Sequence, residues 1–454
     1  MSQILRIGNA QAFWGDSPDA AVRLATQQPD LDYLTLDYLS EVSMSIMAIQ
    51  QEKDPEAGYA RDFLDVVASL VPLWKNQSPL KVISNAGGLN PWGCARAVVK
   101  ILQQSGCFFL KVGVVFGDDV LPIILKSPQN PLFRNLETDE SPATRLPKFV
   151  TANAYLGAKP ISQALQAGAH IVITGRVADP SLTVAPCAAH FGWRWDDYQR
   201  LAGATVAGHL IECGTQVTGG FSTKWMDLPD MANCGFPIAE VDSSGNCIIT
   251  KPAGTGGCVD CDIVKEQLLY EIGDPANYLS PDVSVSFCAL QVEQLAPNRV
   301  SVSGAIGQAP PASYKVSATY RDGYRTEATL SIFGKNARSK AQKCGEVLLQ
   351  KVRNAGYTLQ KSKIECLGSG DVVPGMGFES ESLECVLRVS AADPRKEPLE
   401  RLAKEIAPLV TSGPQGVTGY TSGRPKIRPV FGYWPCLIST EEITPAFAIL
   451  EVSP

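Results

Sequence analysis

The apolar positions of the chain follow two rhythms. Over the first 190 residues, short apolar runs alternate with longer stretches of helical period. ILRIGNAQAF reads as a strand, and DSPDAAVRLATQQ as a helix with Asp16 or Ser17 near its cap and Pro18 in its first turn. LDYLTLDYL is a second strand, and SEVSMSIMAIQQEKD and GYARDFLDVVASLVPLWKN are helical by period. KVISNAG is a third strand, followed by a helix from Pro91; FLKVGVVFGDD is a fourth. FVTANAYLG, the helix PISQALQAG and the strand HIVITGR come next. Strands separated by helices imply right-handed crossovers and a mostly parallel sheet. KVGVVF and HIVITG lack polar alternation, as strands covered on both faces do. The pattern does not separate a doubly wound sheet from a barrel.

From about residue 285 the rhythm changes. VSVSFCALQVEQL, NRVSVSGAIGQ and YKVSATYRDGYRTEATLSIFG read as consecutive strands joined by turns. The helix ARSKAQKCGEVLLQKVRNAG and the strand SKIECLG follow. LECVLRVSAAD, the helix EPLERLAKEIAPLV and the strands PVFGYWPCLIS and FAILEV roughly repeat that order. SGDVVPGMGFESES (369–382) is the best internal loop. The expected fold is therefore α/β. Residues 1–285 form a mostly parallel sheet with flanking helices, doubly wound or barrel-like, and residues 286–454 form a smaller α+β domain.

Composition narrows the partners. A length of 454 residues makes two domains the prior, and 45% hydrophobic content with a mean hydropathy near zero describes an ordinary soluble globule. The apolar runs are short of the roughly 20 residues of a membrane span. The N-terminus shows no basic segment followed by an apolar one, so no secretory signal is expected. Net charge is −6 and nothing along the sequence forms a basic stripe, which argues against nucleic acid. Thirteen scattered cysteines fit a reducing compartment, hence the cytoplasm. Only His170, His190 and His209 are present, so a multi-histidine metal cluster is not expected.

In open α/β sheets ligands lie beyond the carboxyl ends of the strands. Those ends supply Gly8, Asn9 and Gln11; Asp37 and Glu41; Asn85, Gly87, Gly88 and Asn90; Asp118 and Asp119; and Thr174, Gly175, Arg176 and Asp179. In NAGGLNP, Asn90 suits an N-cap and Pro91 the first helical position. Gly87 and Gly88 permit close backbone approach, and free amides there would accept an anion. The alternative is a plain βα turn. Arg176 suits bidentate capture of a carboxylate or phosphate, unless Asp179 merely pairs with it. Asp118 and Asp119 are a candidate Mg²⁺ pair, though adjacent loop acids are as often solvated.

GHLIECGTQVTGG brings His209 and Glu212 onto one helix face as a candidate acid and base. Cys213 beside them would be a nucleophile if its pKa were lowered, and Gln216 follows as a polar contact. KPAGTGG offers Lys251 as counter-charge to an anion nest that includes Thr255 and Gly256. Cys258 and Cys261 form a single CxxC, with Cys234 and Cys247 at irregular distances, a poor zinc or redox pattern. The sequence shows no GxSxG, Walker A or GxGxxG motif, hence no nicotinamide, flavin or P-loop nucleotide signature.

Taken in order, NAGGLNP, ITGRVADPSL, GHLIECGTQVTGG, GFPIAEV, KPAGTGG, VKEQLLYEIGDPANYLSPDV and the late SGRP and WP pieces resemble the acyclic terpene utilisation protein A (AtuA) family over essentially the whole chain. The resemblance implies a bacterial-type cytoplasmic protein linked to acyclic terpenoid and branched acyl-CoA breakdown, alongside acyl-CoA carboxylases. It carries over no catalytic residue.

Two main readings follow, with nucleotide binding through the Gly loops as a third and weaker one. In the first, the chain is an enzyme of hydratase, lyase or hydrolase type on an acyl-CoA or carboxylic acid. Arg176 and Lys251 would hold the acid or the CoA phosphates, His209 and Glu212, or Asp37 and Asp118, would move protons, and Asn85 with the Gly87 and Gly88 amides would polarise a carbonyl. Removing Asn85 or Arg176 would then abolish binding and spare stability. In the second reading, the chain is a non-catalytic assembly or regulatory partner of an acyl-CoA carboxylase pathway. Either way a homo-oligomer is expected, with a small-molecule acid or acyl-CoA as ligand and no membrane or nucleic-acid partner.

Overall fold

The computed structural model describes residues 4–373, 375, 382–419 and 423–454. Its first strands alternate with helices as the apolar pattern requires: β1 (Ile4–Asn9), β2 (Tyr33–Leu36), β3 (Lys81–Ser84), β4 (Lys111–Phe116), β5 (Phe149–Ala154) and β6 (Ile171–Thr174). They are followed by β7 (Ile238–Asp242), β8 (Cys247–Thr250), β9 (Tyr278–Leu279), β10 (Ser284–Ser286), β11 (Gln291–Ala296), β12 (Arg299–Ser303) and β13 (Ile306–Gln308). The last strands are β14 (Ser313–Phe333), β15 (Lys361–Leu367), β16 (Glu384–Asp393), β17 (Arg428–Ser439) and β18 (Ala446–Glu451).

The chain divides into two units, residues 1–319 with 433–454, and residues 320–432. In the first unit a ten-stranded sheet has the order β11-β12-β8-β7-β1-β2-β3-β6-β4-β18. Its centre, β1-β2-β3-β6-β4, is parallel. The flanking pairs β1–β7, β7–β8, β8–β12, β11–β12 and β4–β18 are antiparallel. Among the described residues β11 and β18 do not pair, so this sheet is open and mixed. Strands β11, β12 and β18 lie beyond the expected boundary at 285 and still belong to it. β7 and β8 are too short and polar to stand out by period. β5 does not join the parallel strands but pairs with β14. A separate three-stranded sheet has the order β13-β10-β9.

Both faces of the parallel core are covered. The helices Phe63–Lys75 and Pro91–Gln104 bury Phe63, Leu70, Trp74 and Val98 with Leu34, Val82 and Val112 of the strands. Burying one such side chain contributes roughly 1.5–3 kcal/mol. By the two-residue period of a strand, Ile7, Ile83 and Val172 face the other way and are also fully buried. The first helix spans Ala20–Gln27, later than Asp16 and Ser17 suggest, because the Asp16 carboxylate accepts the Ala12 N–H instead of capping.

In the second unit the strand order is β15-β16-β14-β17, and the helices Ala337–Asn354 and Glu397–Glu405 pack Leu348, Val352, Leu399 and Leu402 against Leu330, Leu387 and Val389. YKVSATYRDGYRTEATLSIFG, the last of the three consecutive strands read from the sequence, is a single 21-residue strand, β14. The loop expected at 369–382 lies in part outside the described residues. No helix among the described residues is long and apolar enough to cross a membrane.

Candidate functional site

The carboxyl ends of the five parallel strands converge. β1 ends in Asn9, whose amide nitrogen donates to the carbonyls of Ile211 (2.6 Å) and Glu212 (2.8 Å). This ties the sheet to the last turn of the helix Tyr198–Glu212, which carries His209 and Glu212. Asp37 follows β2 and Asn85 follows β3. Asn85 Nδ2 donates to Asp37 Oδ1 (2.6 Å), and Asn85 Oδ1 accepts the Tyr38 N–H (2.7 Å). Arg176 follows β6. Its guanidinium donates to the Leu39 carbonyl (2.5 Å) and to Asp179 Oδ1 (2.9 Å), and its backbone N–H donates to Asp118 Oδ2 (2.9 Å). Glycine is required at 175 because a Cβ there would sit 2.6 Å from Asp118 Cγ.

Charge within this cluster is unbalanced. Arg176 is 2% exposed. Burial disfavours its charge, but Asp179, Tyr155, Asp37 and Glu41 outweigh burial and hold it cationic. Burial, reinforced by the Asp179 charge and opposed by Arg176 and Asn85, pushes the Asp37 carboxyl well up. Burial likewise raises Glu212, helped by Asp179 and Glu271 and opposed by Arg176. Asp179 is raised by burial against the pull of Arg176, although 33% of its side chain stays exposed. Asp118 is raised by burial to about 6, with the Arg176 and Asn153 donors pulling the other way. Arg176, joined by Lys315 at 5.0 Å from the Tyr155 ring, thus faces several carboxyl groups, and burial pushes Asp37, Asp179 and Glu212 toward the protonated form.

His209, 2% exposed, places Nε2 3.0 Å from the Gln267 carbonyl and Nδ1 3.2 Å from Glu212 Oε1. A carbonyl only accepts, so Nε2 carries the ring proton. Burial pulls the His209 pKa down, leaving the ring neutral with Nδ1 as an acceptor. Burial raises the Glu212 carboxyl, and when protonated it is placed to donate to Nδ1. Glu212 Oε2 and Arg176 Nε are buried atoms with no partner among the described residues. Asn153 Oδ1 in the same cluster is likewise without one, and buried polar atoms are normally satisfied by a partner, a water or a ligand.

Residues that strand-end reasoning did not single out complete the cluster. The Tyr155 ring stacks under the Arg176 guanidinium at 4.1 Å, and its hydroxyl donates to Glu41 Oε1 (3.2 Å). Asn153 Nδ2 donates to Asp118 Oδ2 (2.8 Å). Both follow from reading the end of FVTANAYLG as the other strand ends were read. Gln267 lies on the helix Cys261–Leu269 and carried no sequence signal, since only its backbone carbonyl is used.

A cavity of about 600 Å³ adjoins Asp118, lined also by Gly88, Trp92, Phe116, Asp119 and Asn153. It brings Gly88 and Asp118 to one opening with an aromatic wall. The NAGGLNP turn itself is internally satisfied: Leu89 and Asn90 amides donate to Gly58 O, Gly88 N–H to Asn85 O, and Gly93 N–H to Asn90 Oδ1. Asn90 is an N-cap, and a Cβ at Gly87 would meet Pro91 at 2.8 Å. These donors serve the turn, leaving few for an anion.

Other candidates stand apart. Lys251 Nζ donates to the Thr255 carbonyl (2.7 Å) and hydroxyl (3.2 Å), while the Gly256 amide donates to Asn233 O. This loop lines a different cavity, of about 440 Å³, with Arg6, Glu240 and Arg299. Gln216 sits in the 3₁₀ turn Gly214–Thr218. Burial and the adjacent Glu212 raise the Cys213 thiol, so it is no thiolate nucleophile at neutral pH. Asp119 accepts the Leu121 N–H (3.1 Å) while Asp118 serves Arg176 and Asn153. Among the described residues no group of three or more His, Cys, Asp or Glu is placed to hold a metal ion. All thirteen cysteines are unpaired.

A family model, described as acyclic terpene utilisation family protein AtuA, matches residues 5–449. No curated protein and no solved structure matches the chain.

Proposed function

Because the chain belongs to the acyclic terpene utilisation family AtuA, we propose that it is an enzyme of acyclic terpenoid or branched-chain acid breakdown. Its substrate is an acyl-CoA thioester or a free carboxylic acid, and its chemistry is proton transfer of the hydratase, lyase or hydrolase kind. The observation that carries this reading is the buried Glu212–His209 pair, 3.2 Å apart, with the carboxyl raised and the imidazole lowered by burial beside Arg176. Glu212 is the general acid. It gives its proton to the substrate and takes back the one that the attacking water gives up, while His209 Nδ1 holds the carboxyl in position. Arg176 offsets negative charge that develops on the substrate. Asp37 and Asp118 are further proton-holding carboxyls, and Asn85 fixes Asp37. A general acid of this kind contributes about 10²–10⁴-fold in rate. We read the protein as cytoplasmic and homo-oligomeric.

The test is incubation of the full chain with a panel of branched acyl-CoA thioesters and their free acids, followed by mass spectrometry. A product differing by one water, or free coenzyme A, that is lost in Glu212→Gln supports the proposal. No product from any member contradicts it and favours the second reading, a non-catalytic partner of an acyl-CoA carboxylase pathway. That reading draws on Phe221, Trp225 and Met226, apolar side chains exposed by 64%, 47% and 83%.

A further inference from the structure

Residues 320–432 carry 18 Lys and Arg against 12 Asp and Glu, a net charge of +6 within a chain of net charge −6. The basic residues are scattered in sequence, but the sheet gathers six of them. Register aligns Arg325 with Ala392 and Ala392 with Lys361 across β14, β16 and β15. The next row on the same face is Glu327, Ser390 and Lys363. By strand period this face is opposite Ala328, Leu330 and Ile332, which lie in the helix-covered core. Small residues on the central strand between long ones on its neighbours make a trough. The segment 424–428 adds Arg424, Lys426 and Arg428, held by the Thr326 hydroxyl donating to the Lys426 carbonyl (3.2 Å).

The groove has a volume of about 620 Å³, within the roughly 300–1,000 Å³ of small-molecule sites. Lys363 is paired with Glu365 at 2.7 Å. Among the described residues Arg325, Lys361, Arg424, Lys426 and Arg428 have no carboxylate partner. Unpaired cations crowded together repel, and an anion relieves that. Three guanidinium forks favour phosphate oxygens, which they meet in bidentate fashion. The two trough rows are two residues apart, about 7 Å, enough for two linked phosphates rather than a long backbone. Among the described residues no aromatic side chain lines the groove, and aromatic side chains are the stacking platforms that single-stranded nucleic acid uses.

We propose that this groove binds the diphosphate group of a small molecule, such as a nucleoside diphosphate or coenzyme A. The inference is independent of the proton-transfer site. The experiment is isothermal titration of the full chain at low salt with inorganic pyrophosphate, ADP, coenzyme A and a short single-stranded oligonucleotide. Pyrophosphate is expected to bind, more weakly as salt rises. Binding of ADP or coenzyme A that exceeds pyrophosphate identifies the source of the diphosphate. The double variant Lys361→Ala/Lys426→Ala is expected to bind at least about tenfold more weakly with an unchanged melting temperature, while Lys404→Ala, exposed on a helix, binds normally. Failure of all three phosphate probes, equal binding by the double variant, or binding of the oligonucleotide alone overturns the proposal.

Discussion

Glu212 Oε1 and His209 Nδ1 lie 3.2 Å apart, and the far ring nitrogen is committed to the Gln267 carbonyl at 3.0 Å. Glu212→Gln keeps a donor for His209 Nδ1, so the fold is expected to tolerate it. On the proposed function, kcat/KM falls about 10²–10⁴-fold in this variant while the melting temperature moves little. Glu212→Ala leaves Nδ1 unsatisfied and costs about 1–3 kcal/mol as well. Steady-state kinetics with thermal melts separates the two effects.

The same pair sets a pH dependence. Glu212 is active protonated and its pKa is raised, so kcat/KM is expected to hold on the acid side and fall as pH climbs through the raised value. A profile rising with pH would identify Glu212 as a base.

Asp118 has a stability signature. Its pKa is about 6 in the fold against roughly 3.9 in an unfolded chain. The folded state therefore binds more protons between these values. Asp118's contribution is fully present below about pH 4 and is lost as pH rises through about 6, on the order of 3 kcal/mol. Denaturation of Asp118→Asn from pH 4 to 7.5 is expected to give a flatter stability profile than the wild type.

Asn85 and Arg176 hold buried partners in the fold, contrary to the expectation that losing them spares stability. Asn85→Ala strips partners from the Tyr38 N–H and Asp37, a cost of about 2–5 kcal/mol. Arg176→Met leaves buried carboxyls without their cation, a cost of about 3–5 kcal/mol at neutral pH. That cost shrinks in acid, as the partly exposed Asp179 carboxylate that pairs with Arg176 is protonated. Urea titrations at two pH values check the sign.

Gly175→Ala drives a methyl into the Asp118 carboxylate and is expected to cost about 1–3 kcal/mol by overpacking. Gly254→Ala, whose Cβ meets nothing within 4 Å, should cost less, from its φ of 74° alone. A thermal-melt comparison decides.

The parallel core was legible because its strands are short apolar runs bounded by helical periods, and the strand-end rule picked out Asp37, Asn85, Asp118 and Arg176 before any geometry. The rule misjudged NAGGLNP, since glycines that seat a turn against Thr174 and Pro91 look in sequence like glycines that cradle a ligand. The antiparallel additions β7, β8 and β12 depend on non-local pairing that local period does not encode. The basic groove escaped for the same reason: Arg325, Lys361 and Lys426 are far apart in sequence and meet only through strand register.

The protonation of Glu212 is the claim on which the proposed chemistry rests. Infrared difference spectroscopy between wild type and Glu212→Gln at neutral pH reads it directly. The account predicts a protonated-carboxyl C=O band in the wild type that is missing from the variant. Loss of an ionised carboxylate band instead would show Glu212 charged at rest and contradict its role as the acid.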